Sequence, residues 1–136
     1  MQKGFSLVEL LLSVALFTIG VAGTVNGYLL ASQRLYYLTY SQAASNSASQ
    51  RLEQVRAAKW DNLAFPLVDE VVITNFLPQL VLLDIPVSGN NSSFATNFTE
   101  IVNINPTLRL IKINCIWPHP NGRIFTNSLE TYISPR

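Results

Sequence analysis

Met1-Gln2-Lys3-Gly4-Phe5-Ser6-Leu7-Val8-Glu9-Leu10-Leu11-Leu12-Ser13-Val14-Ala15-Leu16-Phe17 opens the chain. It is a short basic tetrapeptide ending in glycine, followed by an apolar run with a single carboxylate inside it. Residues 10–31 continue the run, and Glu9 is the one side chain charged at neutral pH between Lys3 and Arg34. At about 1.5 Å of rise per helical residue, such a segment crosses a hydrocarbon core of roughly 30 Å. A carboxylate within a membrane helix costs about 2.5–3.5 kcal/mol on insertion scales, so Glu9 predicts a functional partner and not a plain anchor.

The apolar segment also carries Gly20, Gly23 and Gly27, with Ser13, Thr18, Thr24 and Asn26 among them. Small, weakly polar residues let helices approach closely in lipid. Each interior glycine weakens the helix by about 0.8–1 kcal/mol relative to alanine. The glycines therefore read either as the ordinary tolerance of membrane helices or as a soft stretch that melts when subunits pack. A secretory signal peptide would need a cleavage site such as Val21-Ala22-Gly23. The apolar run continues past that point, however, and Glu9 would lie within the hydrophobic region of the signal. A plain single-pass anchor fits the length and leaves Glu9 unexplained.

The order Lys3-Gly4-Phe5-Ser6-Leu7-Val8-Glu9 closely resembles the processing site of type IV prepilins and of the pseudopilins of type II secretion. The resemblance implies cleavage after Gly4 by an inner-membrane aspartyl peptidase, N-methylation of the new N-terminus at Phe5, and a role for Glu9 in filament assembly. The residues agree with it. Gly4 offers a protease an unhindered bond, and Lys3 favours the cytoplasmic side. The amine released at Phe5 stays charged after methylation. Glu9 can neutralise the amine of a neighbouring subunit and so fix axial register, or it can meet its own Phe5 four positions away. Either way it stands in the first turns of the helix, where the macrodipole favours an anion.

Residues 32–59 contain no proline or glycine, and Leu35, Leu38, Ala48, Leu52 and Val55 recur at helical spacing. Helix over residues 5–59 would be roughly 80 Å long, too long for one compact domain of this size. Its first half is thus expected in a membrane or filament core and its second half on a head. The small residues of 41–49 predict a close helix-to-sheet contact. Residues 44–58, with Gln50-Arg51-Leu52-Glu53-Gln54-Val55-Arg56 at their centre, resemble the equivalent part of V-type minor pilins and I-type minor pseudopilins.

Beyond Trp60 prolines, asparagines and β-branched residues take over. Val71-Val72-Ile73-Thr74 and Leu80-Val81-Leu82-Leu83 read as short strands held to edges by Pro66, Pro78 and Pro86. Residues 88–99 read as an exposed loop, in which Asn90, Asn91 and Asn97 begin acceptor-like triplets with no glycosylation expected. Ile111, Ile113, Cys115 and Trp117 alternate with Lys112, Asn114 and Ile116, and Phe125, Leu129 and Ile133 follow on a matching register. This predicts a β-hairpin with one buried face, turned through Pro118-His119-Pro120-Asn121-Gly122. The tryptophan, turn glycine and Leu129-Glu130-Thr131-Tyr132-Ile133 strand are similar to the terminal hairpin of V-type minor pilins.

No catalytic constellation is expected. His119 and Cys115 are the sole residues of their kinds, and neither spacing nor number makes a metal site or a nucleophile pair. With one cysteine no intrachain disulfide forms, a departure from many major pilins that favours a minor subunit. Two further departures are the lack of a proline in the first helix and of an acidic C-terminal cluster of the calcium-binding kind. No cofactor or metal is expected. The net charge of +1 gives no footprint for nucleic acid.

The sequence therefore predicts an α+β, pilin-like fold, with a long N-terminal α-helix, transmembrane in its first half, packed on a small antiparallel β-sheet. Its expected parts are a leader at 1–4, a transmembrane and assembly segment at 5–31, the second half of the helix at 32–60, and a β-rich periplasmic head at 61–136. The resemblance implies a minor pilin or pseudopilin precursor of the bacterial inner membrane. Its partners would be a prepilin peptidase and methyltransferase and other pilin or pseudopilin subunits, serving a pilus or a type II secretion system. Two other classes compete, a single-pass protein with a periplasmic binding domain and a tip adhesin or DNA-capture subunit using Arg109, Lys112 and Arg123.

Overall fold

A computed structural model describes residues 6–84, 92–119 and 121–135. One helix, α1 (Leu7–Ala57), is followed by β1 (Trp60–Asp61), β2 (Val68–Asp69), a 3-10 turn (Ile73–Asn75), β3 (Gln79–Asp84), β4 (Ser93–Asn105), β5 (Leu108–Pro118) and β6 (Ile124–Ile133). β1 and β2 form a two-stranded antiparallel sheet, and β3-β4-β5-β6 form a four-stranded antiparallel meander in chain order. The architecture is α+β and pilin-like, as the sequence predicts. The chain divides into two units, residues 1–36 and residues 37–136.

In the first unit α1 runs unbroken through Gly20, Gly23 and Gly27. Its apolar side chains are exposed all round, and it is long and apolar enough to cross a membrane. The hydroxyls do not disturb that role, because each is satisfied within the helix. Ser13 Oγ donates to the Glu9 carbonyl at 2.8 Å, Thr18 Oγ1 to Val14 and Ala15, and Thr24 Oγ1 to Gly20 and Val21. Back-bonding of this kind lets Ser and Thr sit in lipid without an orphan donor.

In the second unit the helix meets the sheet through Tyr40, Ala44, Ser47, Ala48 and Val55, which are buried, with Leu52 packed alongside. Leu35 and Leu38, expected on this face, are instead exposed. The residues that face the sheet are mostly small. Ala44 and Ala48 let the helix backbone close on β4 and β5, whose inward residues Ala95, Ile111, Ile113, Cys115 and Trp117 are also buried. Burying an Ile or Trp of this kind stabilises by about 1.5–3 kcal/mol each. Polar groups buried in this contact pair directly across it, with Asn97 Oδ1 the exception among the described residues. Asn97 on β4 donates through Nδ2 to Ser47 Oγ at 2.8 Å, and Asn127 on β6 donates to the Ser41 carbonyl and to Ser45 Oγ. Asn127 Oδ1 in turn accepts from Trp117 Nε1 at 2.8 Å.

The β5–β6 hairpin matches expectation in register and in turn. Ile111 stands opposite Thr131, Ile113 opposite Leu129 and Trp117 opposite Phe125. Gly122 adopts φ of 81°, a value open to glycine without strain, and its N–H donates to the His119 carbonyl at 2.9 Å. Trp117 stacks on Phe125 with centroids 5.0 Å apart, and Tyr37 meets the Phe125 ring edge-on at 5.0 Å.

Two further expectations are corrected. Residues 93–99 are not loop but the start of β4, the second of the four strands, whose inward positions Ala95, Asn97 and Thr99 are small or polar because they face the small-residue helix. Residues 88–91 of that expected loop, with Asn90 and Asn91, lie outside the described residues, and Asn97 is buried. Val71-Val72-Ile73-Thr74 is not a strand: Val71 is a core residue and Ile73 opens the 3-10 turn. The segment is held there by arginines. Arg51 donates to the Leu77 carbonyl at 2.7 Å, with its guanidinium over the Phe76 ring. Arg109 makes a two-pronged contact with Asp69, donates to the Val71 carbonyl at 2.7 Å, and lies 4.1 Å over the Trp60 ring.

Replacing Asn127 with Ala orphans Trp117 Nε1 and two serine hydroxyls at once. The expected loss is about 2–3 kcal/mol, read from denaturant unfolding of the detergent-solubilised full chain by tryptophan fluorescence. The hydrogen bonds and charge of Arg109 hold the Asp69 carboxyl below its ordinary value, against the opposing effect of burial. A depressed folded value gives stability that is complete above the unfolded value, about 3.9, and lost as pH falls through the folded one. Asp69→Asn should therefore remove an acid-sensitive component of stability below about pH 4, and unchanged acid unfolding in that variant would contradict the assignment.

Candidate functional site

The processing residues predicted from the sequence, Gly4 and Phe5, lie outside the described residues. The helix that follows them is described from its first turn. Ser6 precedes α1, and its carbonyl accepts from the Glu9 N–H at 3.0 Å and the Leu10 N–H at 3.2 Å. Glu9 is thus the third helical residue behind a serine, the Ser-x-x-Glu order of a capping box. Neither side-chain bond of such a box is made among the described residues, where the Ser6 backbone carbonyl is the acceptor. Among the described residues the Glu9 carboxylate itself has no hydrogen bond or ion pair, and the side chain is exposed. An anion there also meets the positive end of the helix dipole.

At about 100° per residue, Glu9, Ser13, Gly20, Gly23 and Gly27 fall within about 40° of one line along the helix. A Cβ added at any of the three glycines would meet nothing within 4 Å. The carboxylate and the close-approach positions therefore share one open face. In the sequence the glycines and Glu9 stand apart, and their common face becomes visible once the helix is continuous from Leu7.

The head holds no comparable chemistry. Cys115 is fully buried and burial pushes its thiol up, which disfavours the reactive thiolate. His119 is buried in the hairpin turn, where its Nδ1 accepts from the Asn121 N–H at 3.2 Å and its ring meets Phe125 edge-on. Among the described residues no three of His, Cys, Asp and Glu lie together as a metal site would need. Of the three cations considered for a DNA-binding patch, Arg109 is engaged by Asp69, and Lys112 Nζ lies 3.3 Å from Glu130. Both are answered by carboxylates on the head itself.

Residues 1–25 match the family model of the prokaryotic N-terminal methylation motif. Among curated proteins and among solved structures, nothing matches the chain. An apolar N-terminal helix together with this motif fits membrane anchoring, and the motif suggests a structural subunit and not an enzyme. The match supports a type IV prepilin-like protein, for which the motif implies processing by a prepilin peptidase and assembly with other pilin subunits.

Proposed function

We propose that the chain is a minor pilin or minor pseudopilin precursor, anchored in the inner membrane with its head in the periplasm. It is cut after Gly4, methylated at Phe5 and built into a type IV pilus-like filament that it primes or caps. The observation that carries this reading is the coincidence of the methylation motif at residues 1–25 with a helix exposed on all its apolar sides and bearing one carboxylate in its first turn. Lateral packing on the face of Gly20, Gly23 and Gly27 brings helices close. The pairing of Glu9 with the amine of a neighbouring Phe5 sets how far each slides before it stops. The answered charges of Arg109 and Lys112 weigh against DNA capture.

Mass spectrometry of the mature N-terminus tests the processing step. A methylated Phe5 is expected, whereas an intact Met1 or a cut near Gly23 would leave a generic single-pass protein or a signal peptide. Two substitutions then test the charge of Glu9. Glu9→Gln keeps the size and polarity of the side chain and removes its charge, while Glu9→Ala removes both. Both variants should be cleaved normally and both should lose incorporation into filaments. Normal incorporation of Glu9→Gln would refute the charge pairing.

A further inference from the structure

Arg123, the third cation weighed for nucleic acid, is answered by no carboxylate: among the described residues it is exposed and makes no ion pair. It stands in the β5–β6 turn beside Ile124, which is 71% exposed. That turn belongs to the end of the head that leads into the apolar segment. On the strands either side of it, Phe125 meets the ring of Tyr37 and Trp117 the ring of Tyr40. Tyr37 follows Ala31 by six residues, a rise of about 9 Å along a helix, and the headgroup layer of one leaflet is roughly 5–7 Å deep.

The side of the four-stranded sheet turned away from the helix changes character along its strands. At the turn end Leu82 stands opposite Phe94, and Pro118 opposite Ile124, all four exposed. The next outward row holds Thr96, Ile116 and Thr126, and the one after it Phe98, Asn114 and Ser128. Charge enters only with Glu100, Lys112 and Glu130, which share a row and lie about 20 Å along the strands from Pro118. The one acid at the turn end among the described residues, Asp84, is drawn toward the helix, where it accepts from the Tyr40 hydroxyl at 3.3 Å. Lipid penalises charge and tolerates neutral side chains, and an arginine beside it reaches phosphate with its planar fork while its stem lies on apolar surface.

We infer that this end of the head docks on the bilayer surface, with Phe94 and Ile124 in the headgroup layer and Arg123 on lipid phosphates. The inference rests on the membrane-anchored reading above. It adds a second lipid contact, made by the head, which holds the precursor against the membrane before it enters a filament. The face needs little affinity of its own, because the span keeps it at the bilayer at high effective concentration.

The full chain is placed in vesicles of phosphatidylethanolamine and phosphatidylglycerol, dilute enough to keep copies apart, with a fluorophore on Ile124→Cys, Glu130→Cys or Leu16→Cys. Cys115 is fully buried, and the unsubstituted chain controls for its labelling. A nitroxide on the lipid headgroup should quench the label at 124 several-fold more than the label at 130, which lies on the same side of the sheet. Arg123→Glu should bring the quenching at 124 down to the level at 130. Equal quenching at 124 and 130, or quenching at 124 that Arg123→Glu leaves unchanged, would overturn the docking. The label at 16, read with a nitroxide on the acyl chain, keeps the two readings apart. Quenching at 16 without quenching at 124 removes only the contact of the head, and an unquenched label at 16 removes the anchored reading on which it rests.

Discussion

Ala44 and Ala48 have no exposed surface, and the head depends on that contact. Two alanines on the inward face of α1 allow its backbone to settle against β4 and β5, which a Leu or Phe would hold away. A polar atom buried between helix and sheet is costly unless it finds a partner, and among the described residues Asn97 Oδ1 is buried without one. The serines at 41, 45 and 47 are the answer on the helix, and Asn97 and Asn127 the answer on the sheet. The same closeness explains why β4 points Ala95, Asn97 and Thr99 inward where larger residues would be usual. The bulk of the core is moved to β5, where Ile111, Ile113, Cys115 and Trp117 fill the space beside the alanines.

Large side chains close the two ends of this narrow seam. At one end Tyr37, Tyr40, Trp117 and Phe125 form an aromatic cluster with centroid spacings of 5.0 to 6.0 Å. At the other, Val55, Trp60 and Val71 are buried, and Arg109 lies over the Trp60 ring while gripping Asp69 and the Val71 carbonyl. A guanidinium in this setting does several things that a lysine cannot, since its planar fork satisfies a carboxylate on two prongs and stacks on an indole at the same time. The short β1–β2 ribbon has too few residues to stand alone. Arg109 is what attaches it to the main sheet.

Those two mechanisms also account for what the sequence showed and what it concealed. The β5–β6 hairpin was legible because its alternation is large against polar, the strongest period-two signal, and Asn121-Gly122 marks its turn. β4 was hidden for the opposite reason. Its Asn- and Ser-rich start looks like loop because the inward residues are chosen to fit alanines and serines, a constraint that sits on α1 and not in β4 itself. Leu35 and Leu38 misled in the other direction, since apolar residues at helical spacing were counted toward a face that the helix does not bury. Val71 to Thr74 has strand propensity, which the Arg109 and Arg51 contacts with neighbouring carbonyls override. Of the candidate site, the Gly4-Phe5-Glu9 order was readable at once, while the alignment of Glu9 with three glycines needed a helix without a break.

That alignment bears on why the acid is tolerated at all. The hydroxyls of Ser13, Thr18 and Thr24 are satisfied by their own helix, so they neither require nor select a neighbour. Glu9 is different, because its carboxylate has no bond among the described residues and cannot be answered by the apolar side chains beside it. Within lipid its charge is unfavourable by about 2.5–3.5 kcal/mol at the helix centre, and less toward the end where the macrodipole helps. A neighbour that brings a cation to this face relieves that cost only when the two helices lie close, and close approach is possible here where Gly20, Gly23 and Gly27 leave the surface open. Van der Waals packing along the glycines is tolerant of sliding, whereas a charge pair is not. In the assembly proposed above, the glycines supply proximity and the single acid supplies the stop.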